Sequence, residues 1–444
     1  MASEQTTVAA DWGSTMSRNL LRYSSDGIDL RSAFMRFCGF LQGKPVVIID
    51  SDPQLAAKVL QSSRVKGSFI ERLFAIPAWN PIYSVESEDG ERWETLAKEC
   101  RHVLNSLKWR ERIEPLVAKY VLQLEEKKRN HPSFQIDSPV VSRLTLRVLF
   151  ELLFDQGIEP QDEDLFYQAS LEWRKEIAIK GKGQPQVKEA FWLRLREIVS
   201  GSRFHEGLAR YADDPGIWLS VFAQPFLISP QINVSDFFVS LVQSLGCDKN
   251  LLNRAQTIAR SENRSELTGF ILEALRLKHP FPILERELTE PLSYQGVQYA
   301  RGTQFFILLD RFRQEESFNP DRWRSHFSQN PYQAIPFGTG PRMCLGKGLA
   351  LDLLVSLTGS LLDRFAWEDL QPEVGHLYSG RNNDGKEGIF SVLYQLKKFI
   401  RALWLSFNWG CPMKGLKKKS CPFLLKPADF SEGSQQSPKH RPVG

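Results

Sequence analysis

The sequence predicts a mainly α fold with small β-sheets, and three observations carry that expectation. From Arg92 to about Gly201 apolar residues recur at three- and four-residue spacing, as in "LVAKYVLQLEEKK" and "VVSRLTLRVLFELLF", with polar breaks between helices. A later amphipathic stretch, "SELTGFILEALRLKHP", reads as a helix ended by Pro280. Two stretches alternate instead, one near the N-terminus and one around Gly296 and Gly302, and read as short strands.

In chain order, "FMRFCGFLQGKPVVIID" reads as a hairpin whose apolar runs join at Gly43-Lys44, and "SDP" then opens a helix over Gln54 to Gln61. The helical body follows. Next comes "GIWLSVFAQPFLISPQINVSDFFVSLVQSLG", an apolar region with helical character. Ser229 as N-cap with Pro230 at the first helical position would begin a helix inside it, leaving Asn233 in a first turn; a longer helix would place Asn233 mid-run. After the helix that ends at Pro280, "LERELTEPLSYQGVQYARGTQFFILL" supplies the second patch of strands. A cysteine loop, "IPFGTGPRMCLG", then leads into the late helix of "KGLALDLLVSLTGSLLDRF".

Composition narrows the function classes. A hydrophobic fraction of 42% with 25% charged residues is that of an ordinary globular protein. No window reaches the length of apolar sequence needed to span a membrane, and the N-terminus has no basic start followed by an apolar block. The expected location is the cytoplasmic side of any membrane. The net charge of +5 is modest and its Lys and Arg are spread along the chain, which argues against a nucleic-acid partner. Six cysteines without a CxxC pair or a His/Cys cluster at zinc spacing speak against a disulfide framework and a structural zinc site.

Near the C-terminus, Leu396, Phe399, Ile400, Leu403 and Phe407 stand at helical spacing, with Trp404 and Trp409 nearby and lysines at both ends. Basic flanks with interleaved tryptophan suit a helix lying in a membrane interface; a helix docked on the body with solvated lysines suits the pattern as well. The expected division is a main domain over 1–395, this basic aromatic extension over 396–424 and a disordered polar tail over 425–444.

The chemistry-bearing stretch is the cysteine loop. Gly338, Gly340 and Gly346 permit backbone angles and close approaches that other residues resist, and Pro341 stiffens the turn. Arg342 places a positive charge two residues from Cys344, and with the following helix N-terminus this favours a thiolate, which serves as nucleophile or metal ligand. A buried cysteine in a tight loop is the plain alternative.

Phe337, Gly340, Arg342, Cys344 and Gly346 fit F-x-x-G-x-R-x-C-x-G, which resembles the haem-binding loop of the cytochrome P-450 superfamily. The resemblance implies that Cys344 is the metal ligand, that Arg342 pairs with a haem propionate, that Phe337 packs near the sulfur, and that Gly340 and Gly346 let the loop approach the porphyrin. Two further matches stand in the family's order. Glu273 and Arg276 share a helix face in "ILEALRLKHP", and "FNPDRW" supplies Arg322 downstream, the three forming the family's structural lock. Arg286 in "LERELT" falls where the family has a second propionate-binding arginine. The implied fold holds haem b between a long distal helix and the proximal cysteine loop.

The departures bear on mechanism. In the family, a glycine, an acid and a threonine in the distal helix relay protons; one frame sets these positions on Pro230, Ile232 and Asn233, the other on Gln224, Phe226 and Leu227. Neither supplies an acid followed by threonine. Asn233 is the candidate catalytic residue, and "SPQIN" is similar to the corresponding stretch of prostacyclin synthase and related sterol hydroxylases. The family's W-x-x-x-R propionate contact begins at Trp93 but meets Ala97, with Lys98 and Arg101 as candidate substitutes. The run between "FFILLDRF" and "FNPDRW" is short. The resemblance implies a haem-thiolate monooxygenase acting on a hydrophobic small molecule with electrons from a separate redox partner. Alternatives are a peroxide-rearranging isomerase or dehydratase and a haem-binding protein without turnover.

Overall fold

The computed structural model describes residues 43–67, 82–177, 183–261, 263–280, 283–309, 317–325 and 335–370, with a few positions between 23 and 39. The C-terminal extension and tail lie outside the described residues.

Strands β1 (Tyr23–Ser24) and β2 (Gly27–Ile28) pair antiparallel. β3 (Val46–Ile49) leads to α1 (Pro53–Ser62), where Asp52 accepts the N–H groups of Gln54 and Leu55 at 3.0 and 2.9 Å. This satisfies two donors that the helix itself leaves open. The helical body is α2 (Gly90–Ser106), α3 (Trp109–Asn130), α4 (Ser138–Phe154), α5 (Pro160–Ile177), α6 (Pro185–Ser200) and the short α7 (Glu206–Arg210). The 3.6-residue periodicity is met throughout this region. Then follow α8 (Pro215–Phe222), a π-helical segment (Ala223–Ile228), α9 (Ser229–Gly246), α10 (Lys249–Ala259) and α11 (Leu267–Leu277). Strands β4 (Ile283–Glu287), β5 (Leu292–Tyr294), β6 (Val297–Tyr299) and β7 (Gln304–Leu308) precede α12 (Arg322–Ser325) and α13 (Lys347–Arg364).

The strand order of the main sheet corrects one expectation. β3 is not half of a hairpin: it pairs in parallel with β7, which pairs antiparallel with β4, and Ser32, Met35, Arg36 and Gly39 are helical. β7 is buried at every position, so its run "QFFIL" is apolar on both faces and takes the centre of the sheet. The alternation around Gly296 is met by the β5–β6 pair.

Two apolar cores result. The larger gathers α2 to α6, α8, the π segment, α9, α11 and α13, and the smaller sits between α1 and the main sheet. α9 packs along α4, and α13 along α3. No helix among the described residues is long and apolar enough to cross a membrane.

Candidate active site

The cysteine loop is held by its own backbone. Gly338 N–H donates to Ile335 O at 2.8 Å, Met343 N–H to Gly340 O at 3.1 Å and Cys344 N–H to Phe337 O at 2.9 Å. Gly340 has φ +75°, and a Cβ there would lie 2.3 Å from Leu60 O, so the loop rests directly on the backbone of α1. Around Gly346 the case differs: a Cβ would meet nothing within 4 Å. Gly346 caps α13, and its N–H hydrogen-bonds the Cys344 thiol. Phe337 is half-buried against the larger core.

Cys344 is open to solvent along one side, yet its thiol is set among dense protein. Burial pushes it up to about 11 against the pull of the Gly346 N–H, with Glu86 raising it further and Lys347 lowering it. The expectation that Arg342 would favour the thiolate is therefore corrected. The arginine turns away: its guanidinium carbon lies 4.6 Å above the Trp93 ring centroid, Nη1 is 3.2 Å from the Asp89 carboxylate, and Nη2 donates to Glu88 O.

Trp93 and Ala97 occupy the buried side of α2, whereas Lys98 and Arg101 are exposed. The two cations offered as substitutes at Ala97 thus point away from the loop. Asp89 is a residue the sequence did not single out. Besides Arg342 it accepts the N–H groups of Lys66 and Gly67 at 2.8 and 2.9 Å, joining the loop, α2 and the strand-linking segment. Its only sequence signal is its place before a helix, where it forms no side-chain cap.

From β4, Arg286 approaches the same region. It is 5% exposed, its Nη1 donates to Glu285 O at 2.7 Å, and its buried Nε has no partner among the described residues. Burial lowers its guanidinium to about 10, Arg342 lowers it further by repulsion, and Glu285 and Asp89 oppose this. Two buried arginines close enough for one to lower the other make a site suited to an anion.

Behind the loop lies the Glu273 cluster. Glu273 is fully buried and accepts from Arg276 at 2.9 and 2.7 Å, from the Asn319 N–H at 3.0 Å and from Trp323 Nε1 at 2.9 Å. Arg322 Nε lies 3.6 Å from the same carboxylate. Burial alone would raise the carboxyl, but the Arg276 bonds, the Asn319 N–H and the Trp323 indole outweigh it and hold it below the usual range. The structure thus brings Glu273, Arg276 and Arg322 together; Trp323, which follows Arg322 in the same motif, and Asn319, which was not singled out, complete the shell.

The distal stretch resolves between the two readings of "SPQIN". The helix does not begin at Ser229, whose φ of −60° and ψ of −41° are helical. It runs from Pro215 to Gly246 through the π segment, with Ser229 N–H bonded to Gln224 O. Proline at 230 has no N–H and its ring crowds the carbonyl four residues earlier, so a wider turn just before it relieves the clash. Asn233 therefore stands in mid-helix, half-buried, with Nδ2 donating to Ser229 Oγ at 3.1 Å.

Residues 249–378 match the family model described as cytochrome P-450, and this stretch contains the Glu273 cluster and the Cys344 loop. Over that stretch the chain is similar to the cytochrome P-450 superfamily. Among curated relatives, it is 35% identical over 118 residues to cytochrome P-450 4d2 of Drosophila melanogaster, 25% of this chain and 24% of that protein. It is 30% identical over 125 residues to ferruginol synthase of Salvia pomifera, 26% of this chain and 28% of that protein, and 28% identical over 158 residues to human aromatase, 34% and 30%. The matched stretch spans about a quarter of the first of these relatives.

Solved cytochrome P-450 structures share the fold. A 6-coordinated cytochrome P-450 from Thermus thermophilus superposes with a TM-score of 0.54 at 18% identity, covering 75% of this chain and 90% of that one. Retinoic acid bound cyanobacterial CYP120A1 gives 0.55 at 18%, covering 72% and 82%. The matched family, cytochrome P-450, is one whose cofactor is haem.

Proposed function

We propose that this protein is a haem-thiolate monooxygenase that oxidises a hydrophobic small molecule, of lipid, sterol or terpenoid type, with O₂ and electrons from a separate reductase. The observation that carries the reading is the pairing of an accessible Cys344 thiol, hydrogen-bonded by Gly346, with the buried and mutually repelling Arg286 and Arg342. The residues fit an iron porphyrin: one sulfur donor with an open side, and a buried arginine, Arg286, whose Nε has no partner among the described residues.

In this reading Cys344 is the iron ligand, and metal binding would draw the proton from a thiol that burial otherwise keeps neutral. Arg286 and Arg342 would neutralise the propionates, with Trp93 and Asp89 fixing the plane of Arg342. Phe337 and Gly340 shape the loop, and the open space at Gly346 leaves room for a close approach. Glu273, Arg276 and Arg322 hold the segment that supports it. Haem b is the form expected, since no C-x-x-C-H stretch for covalent attachment occurs. Bound there, haem would supply O₂ activation, and the similarity of this stretch to cytochrome P-450 4d2, ferruginol synthase and aromatase supports the reading of an enzyme. The reading carries with it a haem domain over 1–395, with 396–424 as an interfacial contact on the cytoplasmic face of a membrane and 425–444 as a polar tail.

The test is the absorption of the reduced, CO-bound protein. A red-shifted thiolate band that disappears in Cys344→Ser supports the reading; absence of haem, or an unchanged band in the variant, rejects it. Asn233 bonded to Ser229, where an acid–alcohol pair would otherwise stand, favours a second reading as a peroxide-rearranging isomerase or dehydratase. Turnover of a lipid hydroperoxide without reductase, and none with O₂ and reductase, would select it. Haem binding with neither activity would leave a haem protein without turnover.

A further inference from the structure

The helix that carries Glu273 runs out into "LKHP", and its last residues reach three different parts of the fold. Arg276 bonds Glu273, Lys278 donates from Nζ to Gln243 Oε1 of α9 at 2.8 Å, and His279, half-buried, sets its Nε2 against Pro336 O. A carbonyl oxygen only accepts, so Nε2 carries the proton of this pair. Pro280 disfavours helical backbone at His279, and α11 stops short of it.

The place of that carbonyl in the cysteine loop gives the contact its meaning. Gly338 N–H donating to Ile335 O at 2.8 Å closes a β-turn with Pro336 and Phe337 at its centre. Phe337 keeps φ negative, as a type I turn requires; flipping the peptide between Pro336 and Phe337 would give type II, with φ positive at Phe337. The turn's closing bond does not touch this central peptide. His279 holds it by its oxygen. The next carbonyl along, Phe337 O, accepts the Cys344 N–H at 2.9 Å, so the orientation of the turn is passed directly to the backbone of the cysteine.

We propose that His279 is a positioning residue for Cys344: by fixing the central peptide of the turn over residues 335–338, it sets the Phe337 carbonyl that holds the cysteine N–H, and with it the place of the sulfur. The inference rests on the proposed function for its use, since that reading makes Cys344 the iron ligand. Ligating side chains depend on outer partners of this kind for their orientation. The loop is then clasped from two helices far apart in the chain, with α1 under Gly340 and the end of α11 at Pro336. Because Glu273 and Arg276 stand one turn earlier on α11, His279 is also the link by which that buried cluster reaches the loop.

Hydrogen exchange of the haem-free protein reads the hold directly. In His279→Leu the N–H groups of Gly338 and Cys344 should exchange about fivefold faster, the effect of one lost hydrogen bond, while the Asn319 N–H at Glu273 keeps its rate. His279→Gln, whose Nε2 also donates, should restore most of the protection. With haem bound, at equal haem content, the reduced and CO-bound His279→Leu protein should lose red-shifted thiolate band relative to the shorter-wavelength band by about the same factor, and His279→Gln should regain it. Loop amides that keep their rates in His279→Leu, an Asn319 amide that speeds up equally, or a glutamine variant no better than leucine would overturn the proposal. Faster loop amides in His279→Leu, when even the unmutated protein shows no thiolate band, would refute the haem-thiolate reading while supporting the hold of His279 on Cys344.

Discussion

Arg342 lies over Trp93, 4.6 Å from guanidinium carbon to ring centroid, and is anchored on its other side by Asp89. A charge that sequence spacing sets beside the thiol is thus spent on a ring from another helix. Trp93→Ala should lower stability by about 3 kcal/mol through lost packing and lost cation–π contact, and should weaken haem retention. Trp93→Phe should recover most of the stability. Denaturant titration and haem transfer to apomyoglobin measure the two effects.

The two loop glycines separate fold from cofactor. Gly340→Ala combines a positive φ with a clash against Leu60 O and should cost at least about 3 kcal/mol in haem-free protein. Gly346→Ala has free space and should leave haem-free stability almost unchanged while reducing haem uptake. Thermal melts with and without haem check the contrast.

Glu273 should shape the acid limb of stability. Its folded carboxyl is held below the usual range, so its contribution is fully present above the unfolded glutamate value of about 4.3 and is lost as pH falls through the lower folded value. Glu273→Gln should flatten the stability profile in that window. Glu273→Ala, which leaves Arg276 buried and unpaired, should cost about 3–5 kcal/mol at neutral pH. Denaturant midpoints measured from pH 3 to 7 decide both.

Arg286 should have opposite effects on the empty and loaded protein. Glu285 and Asp89 only partly offset its burial and its repulsion with Arg342, so Arg286→Met should raise the melting temperature of haem-free protein and accelerate haem loss from the loaded form. Equal shifts in both forms would contradict the arrangement.

Sequence reading succeeded where chemistry is written locally. The Cys344 loop and the Glu273–Arg276 pair are short-range patterns; the loop forms as a turn held by its own backbone, though Arg342 points away from the thiol, and Glu273 meets Arg276 as expected. It fell short where the partner is remote. β3 sits beside β7 some 250 residues away, which no turn signal encodes. Asp89 acquires its role from Lys66, Gly67 and Arg342, none of which is adjacent in the chain. Pro230 read locally as a start signal because the turn that absorbs it lies upstream, in residues with no composition specific to π geometry. At Glu273, the sequence named the two arginines and set Trp323 beside Arg322 in the same motif, but not the indole bond to the carboxylate, because an indole N–H at a carboxylate leaves no periodic trace.

Gly340 pressed against Leu60 has a consequence for how this chain can be cut and recombined. The stretch that matches the family model starts at residue 249, yet the floor of its cysteine loop is the backbone of a helix nearly two hundred residues upstream. A fragment carrying the whole family signature would lack the surface on which its own loop is moulded. A chimera with a relative would keep the loop's shape only if the first helix travelled with it, so the recombination unit of this protein is discontinuous even where its signature is not.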